Sequence, residues 1–156
     1  MSPLPGAARD TAEPMAVFKS DTLIRFGHTD PAGIVFYPRY FEMINNTVED
    51  WFTEALNSSF ADLVLKEKRG LPTVRTECEF LMPSRLGDVL TFELTAEKIG
   101  ASSVTVNISA VCDGEERLRA RTVLVYADYS TPAMRAVRIP SDMRERMSRY
   151  LKRDDD

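Results

Sequence analysis

Residues 26 to 46 read FGHTDPAGIVFYPRYFEMINN. Upstream lies AVFKSDTLIRF, residues 16 to 26, rich in β-branched and aromatic residues and stopped by Gly27, which predicts a first strand. Downstream, Pro38 stands where a proline is best tolerated, in the first turn of a helix. From there Phe41, Ile44, Val48, Trp51, Phe52, Ala55 and Leu56 recur at three- and four-residue steps, while Glu42, Asn45, Asn46, Glu49, Asp50 and Glu54 fill the opposite side. The pattern predicts a helix from Pro38 to about Asn57 with one buried face. Roughly twenty residues at 1.5 Å each span ~30 Å, the width of a small domain, so this helix can serve as a central element.

Further along the chain, residues 59 to 69, SFADLVLKEKR, predict a shorter helix ended by Gly70. Four strands are predicted at residues 72 to 82, 89 to 98, 103 to 112 and 118 to 129. Leu90, Phe92, Leu94 and Ala96 alternate with Thr91, Glu93, Thr95 and Glu97, and Val104, Val106, Ile108 and Ala110 do the same in the next run, so each strand shows one face to a core and one to water. The links are short and hold Gly100 or Asp113-Gly114, the chemistry of antiparallel hairpins rather than helical crossovers. Pro140 and Ser141 open a last helix, to about Lys152. The sum is an α+β domain whose antiparallel sheet curls around the long helix.

At 156 residues the chain has room for one domain with a real core, expected over residues 16 to 152. The first fifteen residues carry three prolines and no apolar run of signal-peptide type, and are expected to be a loose tail, as is the ending KRDDD. Hydrophobic residues at 44% and charged residues at 28% are globular averages. The formal charge of −4 offers no basic field for nucleic acid. No stretch approaches the ~20 apolar residues of a membrane span, and a cytoplasmic location is expected. Cys78 and Cys112 fall in strand-like apolar runs, where a free thiol packs as a small hydrophobe.

There is no G-x-S-x-G, no P-loop, no G-x-G-x-x-G and no C-x-x-C, and the single His28 cannot build a multi-histidine metal site, so neither metal nor redox cofactor is expected. What remains is Asp30, in a Gly-containing loop just before a helix N-terminus. It has two readings. Asp-Pro starts turns and carboxylates suit helix N-termini, so Asp30 can simply hold local backbone donors. Alternatively, a substrate carbonyl docked on the free N–H groups would have its oxyanion stabilised beside a carboxylate able to attack or to activate water. A thioester suits that second arrangement, because a thiolate leaves without a strong general acid.

The run FGHTDPAGIVFYPRYFEMINN resembles the signature of the hotdog-fold acyl-CoA thioesterases, and most closely that of the 4-hydroxybenzoyl-CoA thioesterase family, in which Phe-Gly, Asp-Pro-Ala-Gly-Ile-Val and Tyr-Pro occur in this order. Similarity continues through GLPTVRTECEF, GDVLTFEL and MRAVRIPSDM, from Ile24 to about Met147. The resemblance implies a five-stranded antiparallel sheet around a long helix, an acyl-CoA substrate with an aromatic acyl group, no cofactor, and assembly into dimers or tetramers. It also implies residue roles: Asp30 as the catalytic carboxylate, Gly33 as the glycine that keeps the loop open to the thioester, and the Tyr37 backbone N–H as the donor to its carbonyl. Pro31 and His28 flank that carboxylate on the substrate side. Asn45 stands where the hydroxybenzoyl enzymes place an acid facing the ring hydroxyl. Gly100, Ala101 and Ser102 replace their basic phosphate-binding cluster, leaving Lys98 as the nearby cation, with Arg85 a further candidate.

Two rival functions stay open on the sequence: a hotdog-fold dehydratase or hydratase using His28 and Asp30 as an acid/base pair, and a non-catalytic acyl-binding module. Glu77 and Glu79 share one strand face and read as surface charge. Phe36, Tyr37, Tyr40 and Trp51 read as core or pocket wall.

Overall fold

Alternating side chains become a sheet in the computed structural model, which describes residues 15 to 153; nearly all of the expected N-terminal tail and the last three residues lie outside the described residues. The five principal strands are β1 (Phe18–Leu23), β2 (Thr73–Phe80), β3 (Val89–Ile99), β4 (Ser103–Cys112) and β5 (Glu115–Val125). They pair antiparallel in the order β1-β3-β4-β5-β2. Leu90, Phe92, Leu94 and Ala96 of β3, Val104, Val106, Ile108 and Ala110 of β4, and Leu118, Ala120 and Leu124 of β5 are buried on one face, as the period-two pattern requires. The other face is charged and cross-linked, with Arg121 of β5 2.7 Å from Glu97 across the intervening β4, and Lys19 of β1 3.8 Å from Glu93 on the neighbouring β3.

Against the buried face lies α1 (Pro38–Asp50), continued by a π-helical turn over Trp51–Ala55. The expected helix is therefore present, but its last turn is wider than an α-helix and ends at Ala55 rather than Asn57. Its buried arc also exceeds the expected stripe: Tyr40, Met43 and Thr47 are buried alongside Ile44, Val48, Trp51 and Phe52, while Phe41 and Ala55 are only half-buried. Thr47 tolerates burial because its hydroxyl donates to the Met43 carbonyl at 2.8 Å.

Other boundaries shift for local reasons. The first strand stops at Leu23, because residues 26 to 28 close a 3₁₀ turn in which the His28 N–H reaches the Arg25 carbonyl at 2.9 Å. The second helix, α2 (Phe60–Leu65), starts under a Ser59 side-chain cap and ends well before Gly70. Lys68 adopts φ of 55° after it, and Gly70 lies in a two-residue strand where a Cβ would run into the Tyr129 ring. That strand, Arg69–Gly70, joins Ala127–Asp128 and Arg135–Ala136 in a small second sheet that the sequence pattern did not predict. β5 begins three residues earlier than expected, since Asp113 and Gly114, at φ of 52° and 76°, form a two-residue hairpin turn. The last helix, α3 (Ser141–Ser148), is shorter than expected. Among the described residues, no helix is long and apolar enough to cross a membrane.

Candidate active site

The loop between β1 and α1 is a small finger folded on itself. Asp30 N–H donates to the Ile34 carbonyl and Gly33 N–H to the Asp30 carbonyl, each at 2.9 Å, and Thr29 bridges Val35. One oxygen of the Asp30 carboxylate accepts from the Ala32 N–H at 2.9 Å, an Asx turn. Asp30 thus holds its own loop and does not cap α1, whose N-cap residue Tyr37 has no side-chain cap. Gly33 adopts φ of 79°, and a Cβ there would meet nothing within 4 Å. Within the chain the glycine is required by its backbone conformation and not by crowding.

The helix start offers fewer free donors than anticipated. Pro38 has no N–H, Arg39 and Tyr40 turn theirs back to the Phe36 and Tyr37 carbonyls at 2.9 and 3.0 Å, and Phe36 N–H bonds the His28 carbonyl at 2.9 Å. The Tyr37 N–H is left without a partner among the described residues. Around it stands an aromatic cluster: the Phe80 ring lies 5.9 Å from Tyr37, 5.8 Å from Tyr40 and 6.2 Å from Phe41, and Phe36 lies 5.9 Å from Tyr37. Phe36, Tyr37 and Phe80 are exposed, whereas Tyr40 is buried and Trp51 belongs wholly to the core.

His28 Nδ1 accepts from the Arg25 N–H at 2.9 Å, so the neutral ring carries its proton on Nε2. With Asn45 it lines a groove of about 650 Å³ shared with Thr22, Arg39, Phe41, Glu42, Met43 and Asn46. Asn45 donates to Glu49 at 2.7 Å. The structure therefore brings His28 and Asn45 to one groove, which Asp30 does not line, and no hydrogen bond joins His28 to Asp30. Pro31 is exposed beside Asp30. Lys98 is not near this site within one chain. The loop preceding Val89 touches Asp30's finger, and Lys98 lies nine residues on, about 30 Å along β3 at ~3.3 Å per residue. Arg85 is brought beside the finger instead, in a bridge with Ile34. A further concavity, about 860 Å³, is on the charged outer sheet face among Glu77, Glu79, Glu97 and Arg121, and none of these site residues lines it.

The sequence reading missed the support beneath the finger. The loop Leu81–Asp88 bonds it twice, Val35 N–H to the Ser84 carbonyl at 2.9 Å and Leu86 N–H to the Gly33 carbonyl at 3.3 Å. That loop is held in turn by Arg117 of β5, only 8% exposed, whose Nη1 lies 2.8 Å from Asp88 Oδ2, 3.1 Å from the Pro83 carbonyl and 3.2 Å from the Ser84 hydroxyl. Its Nε stands 2.9 Å from Glu115 as a charge contact too far out of line to be a hydrogen bond. The Arg85 N–H donated to Asp88, and then the Arg117 guanidinium, hold the Asp88 carboxyl below the usual carboxylate range. No periodicity signals such an arginine, flanked as it is by two glutamates and a leucine. Burial pushes the Cys78 thiol up to about 11, with Glu79 adding to the effect, and burial raises Cys112 too. Both thiols are free and protonated at neutral pH, in keeping with packing roles. Among the described residues no group of three His, Cys, Asp or Glu is placed to hold a metal.

A five-stranded antiparallel sheet curled around one long helix, with an Asp-bearing finger at the helix start, defines a hotdog-fold domain. More narrowly, the chain belongs to the thioesterase-like superfamily, whose family profile matches residues 24–147. It is 30% identical over 105 residues to 1,4-dihydroxy-2-naphthoyl-CoA hydrolase of Prochlorococcus marinus (strain NATL2A), covering 60% of this chain and 64% of that protein. It is 27% identical over 125 residues to 4-hydroxybenzoyl-CoA thioesterase of Pseudomonas sp. (strain CBS-3), covering 76% of this chain and 89% of that protein. The solved structure of the latter enzyme superposes with a TM-score of 0.74 at 26% identity, over 83% of this chain and 98% of that one. The chain spans between 61% and 66% of the length of the first three naphthoyl-CoA hydrolases it matches.

Proposed function

We propose that this protein hydrolyses an aromatic acyl-CoA thioester, adding water across the C–S bond to give the free acid and coenzyme A. One observation carries the reading: a carboxylate with one oxygen tied down by the Ala32 N–H and the other, among the described residues, free stands in the finger that leads into a backbone N–H at Tyr37 that is likewise unpartnered there. The carbonyl oxygen docks on the Tyr37 N–H, which stabilises the charge that grows there as the tetrahedral intermediate forms. The free Asp30 oxygen then attacks the carbonyl carbon, or takes a proton from the attacking water, and the thiolate departs. Gly33 gives the finger its left-handed turn. Phe36, Tyr37 and Phe80 supply an apolar wall suited to a ring, and the named relatives, whose substrates are aromatic CoA thioesters, support that acyl class.

His28 and Asn45 meet the acyl end from the adjoining groove, Pro31 from its exposed place beside Asp30, and Asn45 can still hydrogen-bond a ring hydroxyl. Arg85 serves the coenzyme phosphates from the same chain, and Lys98 reaches them only from a neighbouring subunit. The working form is a homo-oligomer in the cytoplasm, a dimer or a tetramer: β2 is an edge strand on which seven of eight residues are exposed, Val74 and Phe80 included, and such an edge calls for cover. A dehydratase is disfavoured because His28 Nδ1 is already engaged and the ring is not joined to Asp30.

The test is a panel of aryl-CoA and alkyl-CoA thioesters followed by thiol release, with Asp30→Asn as the deciding variant. The amide keeps the Ala32 hydrogen bond, so the fold should survive, while hydrolysis falls by roughly 10²- to 10⁴-fold. Coenzyme A release within threefold of wild type in Asp30→Asn leaves Asp30 a turn residue, and silence on every thioester leaves an acyl-binding module.

A further inference from the structure

Ser84 is a node on which both halves of the proposed site rest. Its carbonyl receives the Val35 N–H, which closes the finger that carries Asp30. Its side chain and backbone are also within reach of the buried Tyr40 hydroxyl, and Tyr40 lies in the first turn of α1, one turn after the Tyr37 N–H. From below, the Arg117 guanidinium engages the Ser84 hydroxyl, the Pro83 carbonyl and the Asp88 carboxylate together. Asp88 closes the loop by accepting from the Arg85 N–H at 2.9 Å.

Two features argue that this is more than a satisfied surface pair. Arg117 is nine-tenths buried, and a guanidinium removed from water is retained only where fixed acceptors replace its hydration. All three acceptors converge on one nitrogen, Nη1, which has two N–H groups to share among them, so they cannot move independently. A loop of eight residues that would otherwise flex is held at one end by the Leu81 N–H on the Arg117 carbonyl, 2.9 Å, and near the other by Arg117's own side chain.

We infer that Arg117, with Ser84 and Asp88, is the positioning assembly of the site: it sets the spacing between the Asp30 carboxylate and the Tyr37 N–H without touching substrate. The inference rests on the thioesterase reading for its kinetic arm, but its structural arm does not. Displacement of a reacting group by about 1 Å can cost roughly a hundredfold in rate, whereas substrate binding, spread over the ring wall and the coenzyme, is far less sensitive. The two catalytic groups should therefore lose alignment while affinity stays.

The test uses Arg117→Lys, which keeps the charge but ends one bond short of the position of Nη1, and Ser84→Ala, which removes a single hydroxyl and leaves the fold's backbone bonds intact. On an aryl-CoA that the wild-type protein hydrolyses, each should lower kcat by roughly tenfold or more with KM within twofold, and the double variant should be no worse than about twice the poorer single one, because both act through one assembly. In parallel, residue-resolved amide exchange without substrate should show the Val35 and Leu86 N–H groups losing protection in Arg117→Lys while Ile108 in the core keeps it. A kcat within twofold of wild type in Ser84→Ala overturns the inference, as does unchanged protection at Val35 and Leu86. Should Arg117→Lys fail to fold, Ser84→Ala read by both measurements decides. If wild type hydrolyses no thioester, the functional reading fails, and the exchange experiment still decides the positioning role.

Discussion

Each end of β3 is clamped by an arginine, in two different ways. At the Val89 end Arg117 is buried, pairs with Asp88, and grips a loop that in turn supports the Asp30 finger. At the Ile99 end Arg144 of α3 is half-buried and donates to the carbonyls of Ile99, Gly100 and Ala101, with no carboxylate among its hydrogen-bond partners. The second clamp secures a hairpin, and among the described residues none of the proposed site is hydrogen-bonded to it. The difference shows what a site demands of its scaffold. A hairpin needs only its carbonyls satisfied, whereas a pair of reacting groups needs a rigid, charge-balanced support whose loss is costly.

The comparison can be broken by removing each clamp. Arg117→Met leaves the Asp88 carboxylate without its cation and the Ser84 hydroxyl and Pro83 carbonyl without their donor. Because Asp88 keeps 27% side-chain exposure, the loss falls at the low end for a broken buried pair, about 3 kcal/mol. In a thermal melt followed by circular dichroism that appears as a drop of about 6–12 °C. Arg144→Met removes donors from carbonyls that water can still reach, for about 1 kcal/mol and a shift of about 2–4 °C. Equal shifts in the two variants would dissolve the distinction.

Acid sharpens it further. A carboxyl whose folded pKa is depressed stabilises the protein above its unfolded value, near 3.9, and that contribution is lost as pH falls through the lower folded value. Asp88 meets this condition, so Asp88→Asn should flatten the fall in stability below about pH 4, while Arg144→Met should leave the slope unchanged. Asp128, held down to about 2 chiefly by its hydrogen bonds to Ser130, supplies the same kind of slope in both proteins and serves as the internal reference. Urea titrations between pH 2 and 6 make the measurement. The smallest effect is on the coenzyme: Arg85→Ala at the finger should raise KM by about two- to fivefold with kcat unchanged, the mark of lost uniform binding. Lys98→Ala at the far end should raise it by less, and a larger effect from Lys98 would place the phosphates at the other end of β3.

How much of this was legible depended on whether the signal was local. Period-two alternation and the Asp113-Gly114 turn marked β4 to its ends, and the helix at Pro38 was evident from spacing and a single proline. The finger's residues were legible as well, because Asp30, Gly33 and Pro38 act through backbone geometry that their own chemistry dictates. Arg117 was not, since its partners Pro83, Ser84 and Asp88 lie some thirty residues away in the chain and meet it only when β5 joins the sheet. The small second sheet escaped for the same reason: two-residue strands have no period to read. Lys98 is close in sequence to a hairpin, and the length of β3 carries it away from the finger.

The π-helical turn over Trp51–Ala55 means that the central helix runs in two phases. A wider turn takes up roughly one extra residue per revolution, so the segment beyond Asp50 is rotated relative to an unbroken α-helix. Trp51 and Phe52, both at 0% exposure, still follow the four-residue step that buries Met43 with Ile44 and Thr47 with Val48, so the change of phase falls on the residues after them. The segment thus behaves like a vernier: Pro38–Asp50 is indexed to the finger, the chain from Leu56 onward to the far side of the core, and the offset between the two scales is carried by five residues. In the lineage of such a protein, gain or loss of a single codon there would retune the helix's far half against the sheet, with the half next to the finger left in register.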